Sequence, residues 1–212
     1  MKRVLIACEY SGTVREAFKR RGFDAWSCDL LPTEIPGQHI DGDVLQVFRQ
    51  HWDLIIAHPP CTHLAVSGAK HFPAKRADGR QAKAIEFFLA MANAPANYVA
   101  VENPVCIMSS IYRPADQIIQ PYMFGHEATK TTCLWLKNLP KLKPTNVVGK
   151  GERAVTKGGK SLPKWYNLPP SPDRWKERSR TFKGIADAMA EQWGDAIMNN
   201  YQMPVQKRLF EL

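Results

Sequence analysis

The segment RVLIACEYSGTVREAFKRRGFDAWSCD, residues 3–29, decides the fold. Its apolar start, RVLIAC, predicts a buried strand over residues 3–8. Ser11 can cap a helix that follows as TVREAFKRR, and Gly22 can end that helix. DAWSCDL then predicts a second strand, which ends at Asp29. A strand, a helix and a second strand in this order favour an α/β fold with a mostly parallel sheet.

The same alternation continues along the chain. WDLIIAHPP (52–60) predicts a third strand that its prolines end, and NYVAVENP (97–104) predicts another. Helices are expected over 78–93 and 181–197. The apolar residues expected to face the core are Ala82, Ile85, Leu89 and Ala92 in the first helix and Ile185, Met189 and Trp193 in the second.

Composition narrows the class of protein. The 212 residues suffice for one core, and the 44% apolar content is that of a globular protein. The apolar start is too short for a signal peptide, and no apolar run could span a bilayer, so a cytoplasmic location is expected. The five cysteines have no CxxC spacing, which favours free, mostly buried thiols over disulfides.

The net charge of +9 is concentrated in one part of the chain. From Lys137 to Lys183 there are 13 Lys or Arg against three acids, and residues 137–178 are rich in proline and glycine. We interpret this segment as a loop-rich insert that binds a polyanion, most simply nucleic acid, although a solubilising surface is the alternative. The side chains expected to contact phosphates are Lys141, Lys143, Lys150, Arg153, Lys157, Lys160 and Lys164.

Chemically distinctive residues follow the predicted strands at the point where each strand ends. Glu9 follows the first strand, Asp29 ends the second, Cys61 follows the third, and Glu102 and Asn103 end the fourth. Sites in open parallel sheets form outside the carboxyl ends of the strands. We therefore expect these side chains to share one site.

In this order, the segments resemble the DNA cytosine-5 methyltransferase family. HPPC (58–61) is similar to the family's Pro-Cys nucleophile loop, and ENP (102–104) is similar to its Glu-Asn motif. Four further segments resemble family motifs. The cofactor motifs are similar to ACEYSGTVREAFKRRGFDAWSCDLLP (7–32) and GDVLQV (42–47). The Gln-x-Arg-x-Arg strand is similar to FGHEATKTTCLWL (124–136), and the last helix is similar to GIADAMAEQW (184–193). Lys130 and Thr132 stand where the family has its two arginines.

The resemblance implies a Rossmann-like, S-adenosylmethionine-dependent methyltransferase sheet, mostly parallel with an antiparallel strand. It implies a catalytic core over 1–136, a reduced target-recognition insert over 137–178, a helix over 179–198 that packs on the core, and a tail over 199–212. The cofactor residues it implies are Cys8, Glu9, Tyr10, Ser11, Gly12, Asp29, Leu30, Asp43, Val44, His58 and Pro60. The catalytic residues it implies are Cys61, Glu102, Asn103, Lys130 and Thr132.

The implied reaction is methyl transfer from S-adenosylmethionine to carbon 5 of cytosine in DNA. Carbon 5 is a poor nucleophile until a thiolate, here from Cys61, adds at carbon 6. Glu102 would hydrogen-bond or protonate the ring at N3, and Asn103 would hold the cysteine loop. The structural alternatives are a packed Cys61 and a helix-capping or salt-bridged Glu102. A short or relaxed target is expected, and single strands would ease extrusion of the base.

Three other functions stay open. His58, Cys61, His63 and His71 could be zinc ligands, but the His-x-Glu and Pro-Cys-x-x-Cys of zinc deaminases are absent. The short insert is compatible with modification of free deoxycytidine nucleotide. A non-catalytic DNA-binding relative is the third alternative.

The last residues, QMPVQKRLFEL, suggest a separate partner. Gln206, Leu209 and Phe210 resemble the short peptides with which bacterial DNA enzymes bind the replication sliding clamp. The alternative is that Leu209 and Phe210 fold back on the core.

Overall fold

The computed structural model describes residues 1–156 and 158–202. Seven strands form the main sheet: β1 Arg3–Ala7, β2 Asp24–Asp29, β3 His39–Asp41, β4 Leu54–Ala57, β5 Tyr98–Asn103, β6 Gln117–Ile119 and β7 Thr132–Lys137. Their spatial order is β3-β2-β1-β4-β5-β7-β6, and β7 runs antiparallel to both of its neighbours while the other pairs are parallel. The predicted fold class, a Rossmann-like and mostly parallel sheet with an antiparallel strand, is confirmed.

The helices connect and cover these strands. They are α1 Thr13–Arg20, α2 Val44–Val47, α3 Phe72–Ala77, α4 Arg80–Ala92, α5 Met108–Ile111, α6 Arg174–Ser179, α7 Lys183–Ala188 and α8 Gly194–Met198. A π-helical turn, Met189–Trp193, joins α7 to α8. In the part of the chain that the structure describes, no helix is both long and apolar enough to cross a membrane.

The insert is more ordered than its composition predicts. It contains a two-stranded antiparallel sheet of β8 (Arg153–Val155) and β9 (Ser161–Pro163), and it ends in α6. Leu139 and Leu142, beyond the expected boundary at 137, are buried in the core. The division of the chain into core, insert, helix and tail stays a prediction.

The central strands are buried on both faces of the sheet. In β1, Val4 and Ile6 pack into one core cluster with residues of α1 and α7, while Leu5 and Ala7 pack into a second with residues of α2 and α4. All four side chains are fully buried. Strands covered on both faces need continuous apolar runs, which is why β1 and β4 are readable in the sequence.

The predicted face of α4 is wrong in part. Ala82 is exposed, whereas Gln81, Phe88 and Met91 are buried with Ala92. The larger Phe88 and Met91 side chains bury more apolar area, so the helix turns them toward the sheet and leaves the small Ala82 outside. In the last helix, the predicted inward positions Ile185, Met189 and Trp193 are confirmed as buried.

The predicted N-cap of α1 is correct only in part. The cap position is Gly12, in the left-handed region at φ 71°, while the Ser11 hydroxyl accepts from the N–H of the first helical residue, Thr13, at 3.3 Å. The Glu9 carboxylate also caps the helix, accepting from the backbone N–H groups of Val14 at 2.7 Å and Arg15 at 3.2 Å. A carboxylate at a helix N-terminus satisfies otherwise unpaired N–H groups and the positive end of the helix dipole.

Arg15 is a fully buried cation at the base of the loop after β1. Its guanidinium donates to the hydroxyls of Ser27 at 3.0 Å and Thr33 at 3.2 Å, and also to the Ile35 carbonyl. A Cβ added at Gly12 would lie 2.8 Å from this guanidinium. Arg15 therefore fixes the loops that follow β1 and β2.

Replacing Arg15 tests this role. We expect Arg15→Leu to lower the free energy of unfolding by about 3 kcal/mol, because several buried acceptors would lose their donor. Urea unfolding measures the change. Arg20→Leu, on the same helix but half-exposed, is the control and should cost less than about 1 kcal/mol. Equal losses in the two variants would contradict the role of Arg15.

Candidate active site

The register of β4 and β5 brings two predicted site residues together. Ala57 pairs with Val101, so the residues that follow, His58 and Glu102, are neighbours at the carboxyl edge, the side of the sheet at which β1, β2, β4 and β5 end. His58 Nδ1 lies 2.7 Å from Glu102 Oε2. The two side chains are only 11% and 12% exposed, so they form a nearly buried pair.

The register of β1 and β2 forms the next part of the same edge. Ala7 pairs with Cys28, which sets Cys8 beside Asp29. Cys8 has a positive φ of 59°, so the chain turns sharply there toward Gly12. Burial, and then the charge of Asp29, raise the pKa of the Cys8 thiol. Cys8 is therefore a neutral thiol at a strained turn and not a nucleophile.

The contact between His58 and Glu102 favours the ionised form of each partner. Burial disfavours the charged imidazole, but the hydrogen bond and charge of Glu102 outweigh it and raise the pKa of His58 above 6.5. Burial likewise disfavours the carboxylate, but the hydrogen bond and charge of His58, with Lys130, hold the pKa of Glu102 below 4.5. Nδ1–H thus donates to a carboxylate, while His58 Nε2 is buried without a partner among the described residues.

The loop that carries Cys61 is held at several backbone positions. Asn103 Nδ2 donates to the Pro59 carbonyl at 2.8 Å, which ties the loop to β5. The nearly buried Lys75 donates to the Thr62 carbonyl at 2.6 Å. Cys61 itself is partly exposed. These bonds fix where the thiol lies at the carboxyl edge.

Cys61 is a neutral thiol in the resting protein. Burial, and then the charge of Glu102, raise its pKa, whereas the charges of Lys130 and Arg178 oppose that rise. The thiolate is the reactive form of cysteine, so it has to be generated when a substrate binds. Glu102 and Cys61 are near enough for the charge of one to control ionisation of the other.

The helix α6 returns from the insert to this edge. Tyr10 donates its hydroxyl to the Lys176 carbonyl at 3.0 Å and lies 2.9 Å from the Ser179 hydroxyl. Arg180 forms a bidentate ion pair with Glu34, donating from Nε and Nη2 to the two carboxylate oxygens. These contacts bring the positive end of the insert against the loops after β1 and β2, which explains why Arg178 acts on Cys61.

Lys130 and Thr132 occupy different environments. Lys130 Nζ donates to the Arg180 carbonyl at 3.2 Å and lies above the ring of Trp165, 5.7 Å from its centroid. Its charge still reaches His58, Glu102 and Cys61. Thr132 is buried at the start of β7, with its hydroxyl on the Lys130 carbonyl. It supports the Lys130 segment and is turned away from solvent.

Asp29, a predicted cofactor residue, is partly buried at the carboxyl edge. Its Oδ1 accepts from the Leu31 N–H at 3.0 Å, which leaves the second oxygen for a ligand. Burial raises the pKa of Asp29, so hydroxyl donors would stabilise its carboxylate. The next residue, Leu30, is a 79% exposed apolar side chain. The unpaired His58 Nε2 is a further polar atom that a ligand at this edge could satisfy.

The other predicted cofactor residues are less available. Both Glu9 oxygens are bound to α1, and Ser11 donates its hydroxyl to the same carboxylate. Asp43 is exposed and caps α2 through the Leu45 N–H at 3.0 Å. Val44 is buried in the core, whereas Pro60 is exposed beside Cys61. Among the three acids, Asp29 is thus the best-placed acceptor.

The zinc alternative finds no cluster of ligands. Across residues 1–156 and 158–202, no three His, Cys, Asp or Glu side chains come together in a way that could hold a metal ion. His58 is committed to Glu102, and His71 is exposed.

Two of the solved structures that resemble this chain are described as methyltransferases. One, from an E. coli prophage, is assigned as a DNA modification methyltransferase; it is 15% identical, with a TM-score of 0.47 over 71% of this chain and 53% of that chain. The other is the methyltransferase EhMeth of Entamoeba histolytica. It is 15% identical, with a TM-score of 0.45, and the match covers 72% of this chain and 58% of that chain. The chain thus spans just over half of each. At this identity, neither likeness assigns a substrate or a residue role.

No protein-family model and no curated protein matches the chain.

Sequence reasoning missed the pairing of His58 with Glu102 and the approach of Arg178. The first could have been found by aligning the ends of the apolar runs LIIA and YVAV, since parallel pairing then sets residues 58 and 102 side by side. The second follows from the contacts of Tyr10 and Glu34 with α6, for which the sequence carries no pattern.

Titration of His58 tests the ionised pair. By NMR of labelled histidine, we expect the His58 ring to titrate above pH 6.5 in the native protein and lower in Glu102→Gln, because burial alone lowers an imidazole pKa. A His58 pKa that is the same in the two proteins would contradict the pair.

The same pKa shifts define the pH range over which the His58–Glu102 pair stabilises the fold. The His58 contribution is lost as pH rises through its raised pKa, and the Glu102 contribution is lost as pH falls through its lowered pKa. Stabilisation by the pair is therefore complete only between the two.

Proposed function

We propose that this protein transfers a methyl group from S-adenosylmethionine to carbon 5 of cytosine in DNA, through a covalent adduct on Cys61. The observation that carries the proposal is the position of Cys61 and Glu102. A partly exposed thiol on a fixed loop and a nearly buried carboxyl group lie at neighbouring strand ends, within electrostatic reach of each other. A nucleophile and an acid so arranged suit addition across the 5,6 bond of a pyrimidine.

In the proposed reaction, Cys61 gives its proton to solvent and the thiolate sulfur bonds to carbon 6. Lys130 and Arg178 favour the thiolate as it forms. Glu102 stabilises the ring at N3 as charge develops there, which makes carbon 5 nucleophilic. S-adenosylmethionine, when bound, supplies the electrophilic methyl group, and Asp29 is the residue best placed to hold its ribose. The carbon 5 proton then passes to solvent, the sulfur leaves carbon 6 as a thiolate, and the thiolate regains a proton from solvent.

DNA is the proposed substrate because the insert is basic and accessible. Six of the seven cations expected to contact phosphates are exposed: Lys141, Lys143, Lys150, Arg153, Lys160 and Lys164. Lys157 lies outside the described residues. Lys164 is paired with Glu152, so the other five are the freer cations. Beside them on α6, Trp175 is 52% exposed between Arg174 and Lys176, a composition that suits stacking on an unpaired base.

A methylation assay tests the proposed function. We expect 5-methylcytosine in a mixed pool of duplex and single-stranded DNA incubated with S-adenosylmethionine, measured by nucleoside mass spectrometry. Cys61→Ser should abolish it, and Glu102→Gln should slow it by about 10²- to 10⁴-fold. Cys106→Ser, at a buried thiol, is the matched control. Free deoxycytidine nucleotide, the alternative substrate, is assayed in parallel. Unmodified carbon 5 in every DNA pool would overturn the proposal.

Salt dependence tests the DNA contacts. We expect the double variant Lys150→Gln, Lys160→Gln to bind DNA more weakly, with a slope of log K against log salt shallower by about 1 for each lysine. The control, Lys19→Gln with Arg49→Gln, makes the same change of charge on exposed residues at the ends of α1 and α2. Equal slopes for the two double variants would contradict the assignment.

The sliding clamp remains a proposed second partner. Gln206, Leu209 and Phe210 lie outside the described residues, so their contacts rest on the sequence alone. Calorimetric titration against a bacterial clamp, beside a Leu209→Ala, Phe210→Ala variant, is the test, and equal heats from the two proteins would remove the proposal.

A further inference from the structure

His58 has a geometry that methyl transfer by Cys61 and Glu102 does not by itself explain. Its Nδ1 holds one carboxylate oxygen of Glu102, and its Nε2 is buried without a partner among the described residues. Because Pro59 and Pro60 follow at once, the histidine is the last residue that continues the direction of β4. Its backbone N–H is fixed on the Ala7 carbonyl at 2.9 Å, so the ring has little freedom.

We propose that His58 is the positioning residue that stores the proton which Glu102 gives to N3 of the cytosine ring. The inference rests on the proposed function and assigns to the same site the source of its acid. Glu102 can donate a proton only as a neutral acid, yet beside a charged His58 it is a carboxylate. The proton it needs is the one shared across the 2.7 Å contact.

Entry of a base would move that proton. A base that covers this edge removes water from a pair already about nine-tenths buried. Lower exposure penalises two separated charges more than two neutral partners, so desolvation favours neutral imidazole with neutral carboxyl. The pair thereby becomes an acid when the substrate is in place and stays an ion pair when it is absent.

The N3 proton cycles within the site, whereas the thiol proton of Cys61 passes to solvent and is regained from it. Nδ1–H of His58 gives its proton to Glu102, and Glu102 gives it to N3 as the Cys61 sulfur bonds to carbon 6. His58 is then neutral and Glu102 is again a carboxylate. When the sulfur leaves carbon 6, N3 returns the proton to Glu102, which returns it to His58. No oxidant or reductant is needed.

Four charged groups face the imidazole from the elements packed around it. Glu102 and Glu9 favour its protonated form, and Lys130 opposes it. Asp29, at the end of β2, interacts electrostatically with His58, whose charge favours the Asp29 carboxylate. Three acids against one lysine favour the protonated pair.

Two variants separate storage of the proton from orientation of the carboxyl. His58→Gln keeps an amide donor for Glu102 but has no proton to give, and His58→Leu has neither. We expect both variants to lower kcat by about 10²-fold or more, with KM within about threefold of the native value. The control is His71→Gln, an exposed histidine eleven positions after Pro60 in the same segment, which should leave kcat unchanged.

The pH profile is the deciding measurement. In the native enzyme, kcat should fall as pH rises through the raised pKa of His58, since the stored proton is then lost. In His58→Gln that fall should be absent. Exchange of the cytosine carbon 5 hydrogen with solvent, measured without cofactor, should drop by the same factor as kcat, because it requires the same adduct.

Each outcome decides the inference. If His58→Gln matches the native enzyme at every pH while the native enzyme makes 5-methylcytosine, the inference is wrong and the proposed function stands. If His58→Gln is active and only His58→Leu is impaired, His58 merely orients Glu102, and storage of the proton is wrong. If the native enzyme leaves carbon 5 unmodified, the proposed function fails and the inference fails with it.

Discussion

The parallel pairing of β4 with β5 is the constraint on which the site depends. One residue of slip would move His58 to the other side of the pleat and separate it from Glu102. Pro59 and Pro60 cannot donate to a neighbouring strand, so β4 ends there and the chain leaves the sheet before Cys61. Asn103, which ends β5, then holds the departing chain at the Pro59 carbonyl. Register and chain direction together bring Cys61 within the electrostatic influence of Glu102.

Three carboxyl groups at neighbouring strand ends have different roles because different N–H groups surround them. Glu9 faces the open N-terminus of α1, and the helix uses both of its oxygens. Glu102 faces an imidazole and shares a proton with it. Asp29 accepts from the N–H of Leu31 through Oδ1 and retains acceptor capacity for a ligand. All three carboxyl groups lie at or near a strand end, and the neighbouring donors decide their chemistry.

The sheet and the position of the site could be predicted because they depend on local patterns. β1, β2, β4 and β5 are apolar runs that end in turns, and the groups at their ends meet by the geometry of parallel strands. Features that depend on tertiary contacts could not be predicted from local patterns. Arg15 reads as a surface residue of an amphipathic helix, yet it is fully buried because two loops fold over it. The order within the insert depends on the contacts of α6 with Tyr10 and Glu34.

Under the proposed function, the charges at the carboxyl edge explain why the insert and the site lie together. Glu102 already opposes ionisation of Cys61, and phosphate charge brought close to the thiol would oppose it further. Lys130 and Arg178 act in the other direction, and each is fixed by contacts that join the insert to the sheet. Cations between phosphate and thiol thus attract the backbone and permit the thiolate. An insert that bound DNA farther from Cys61 would supply affinity for DNA but would not favour the thiolate of Cys61.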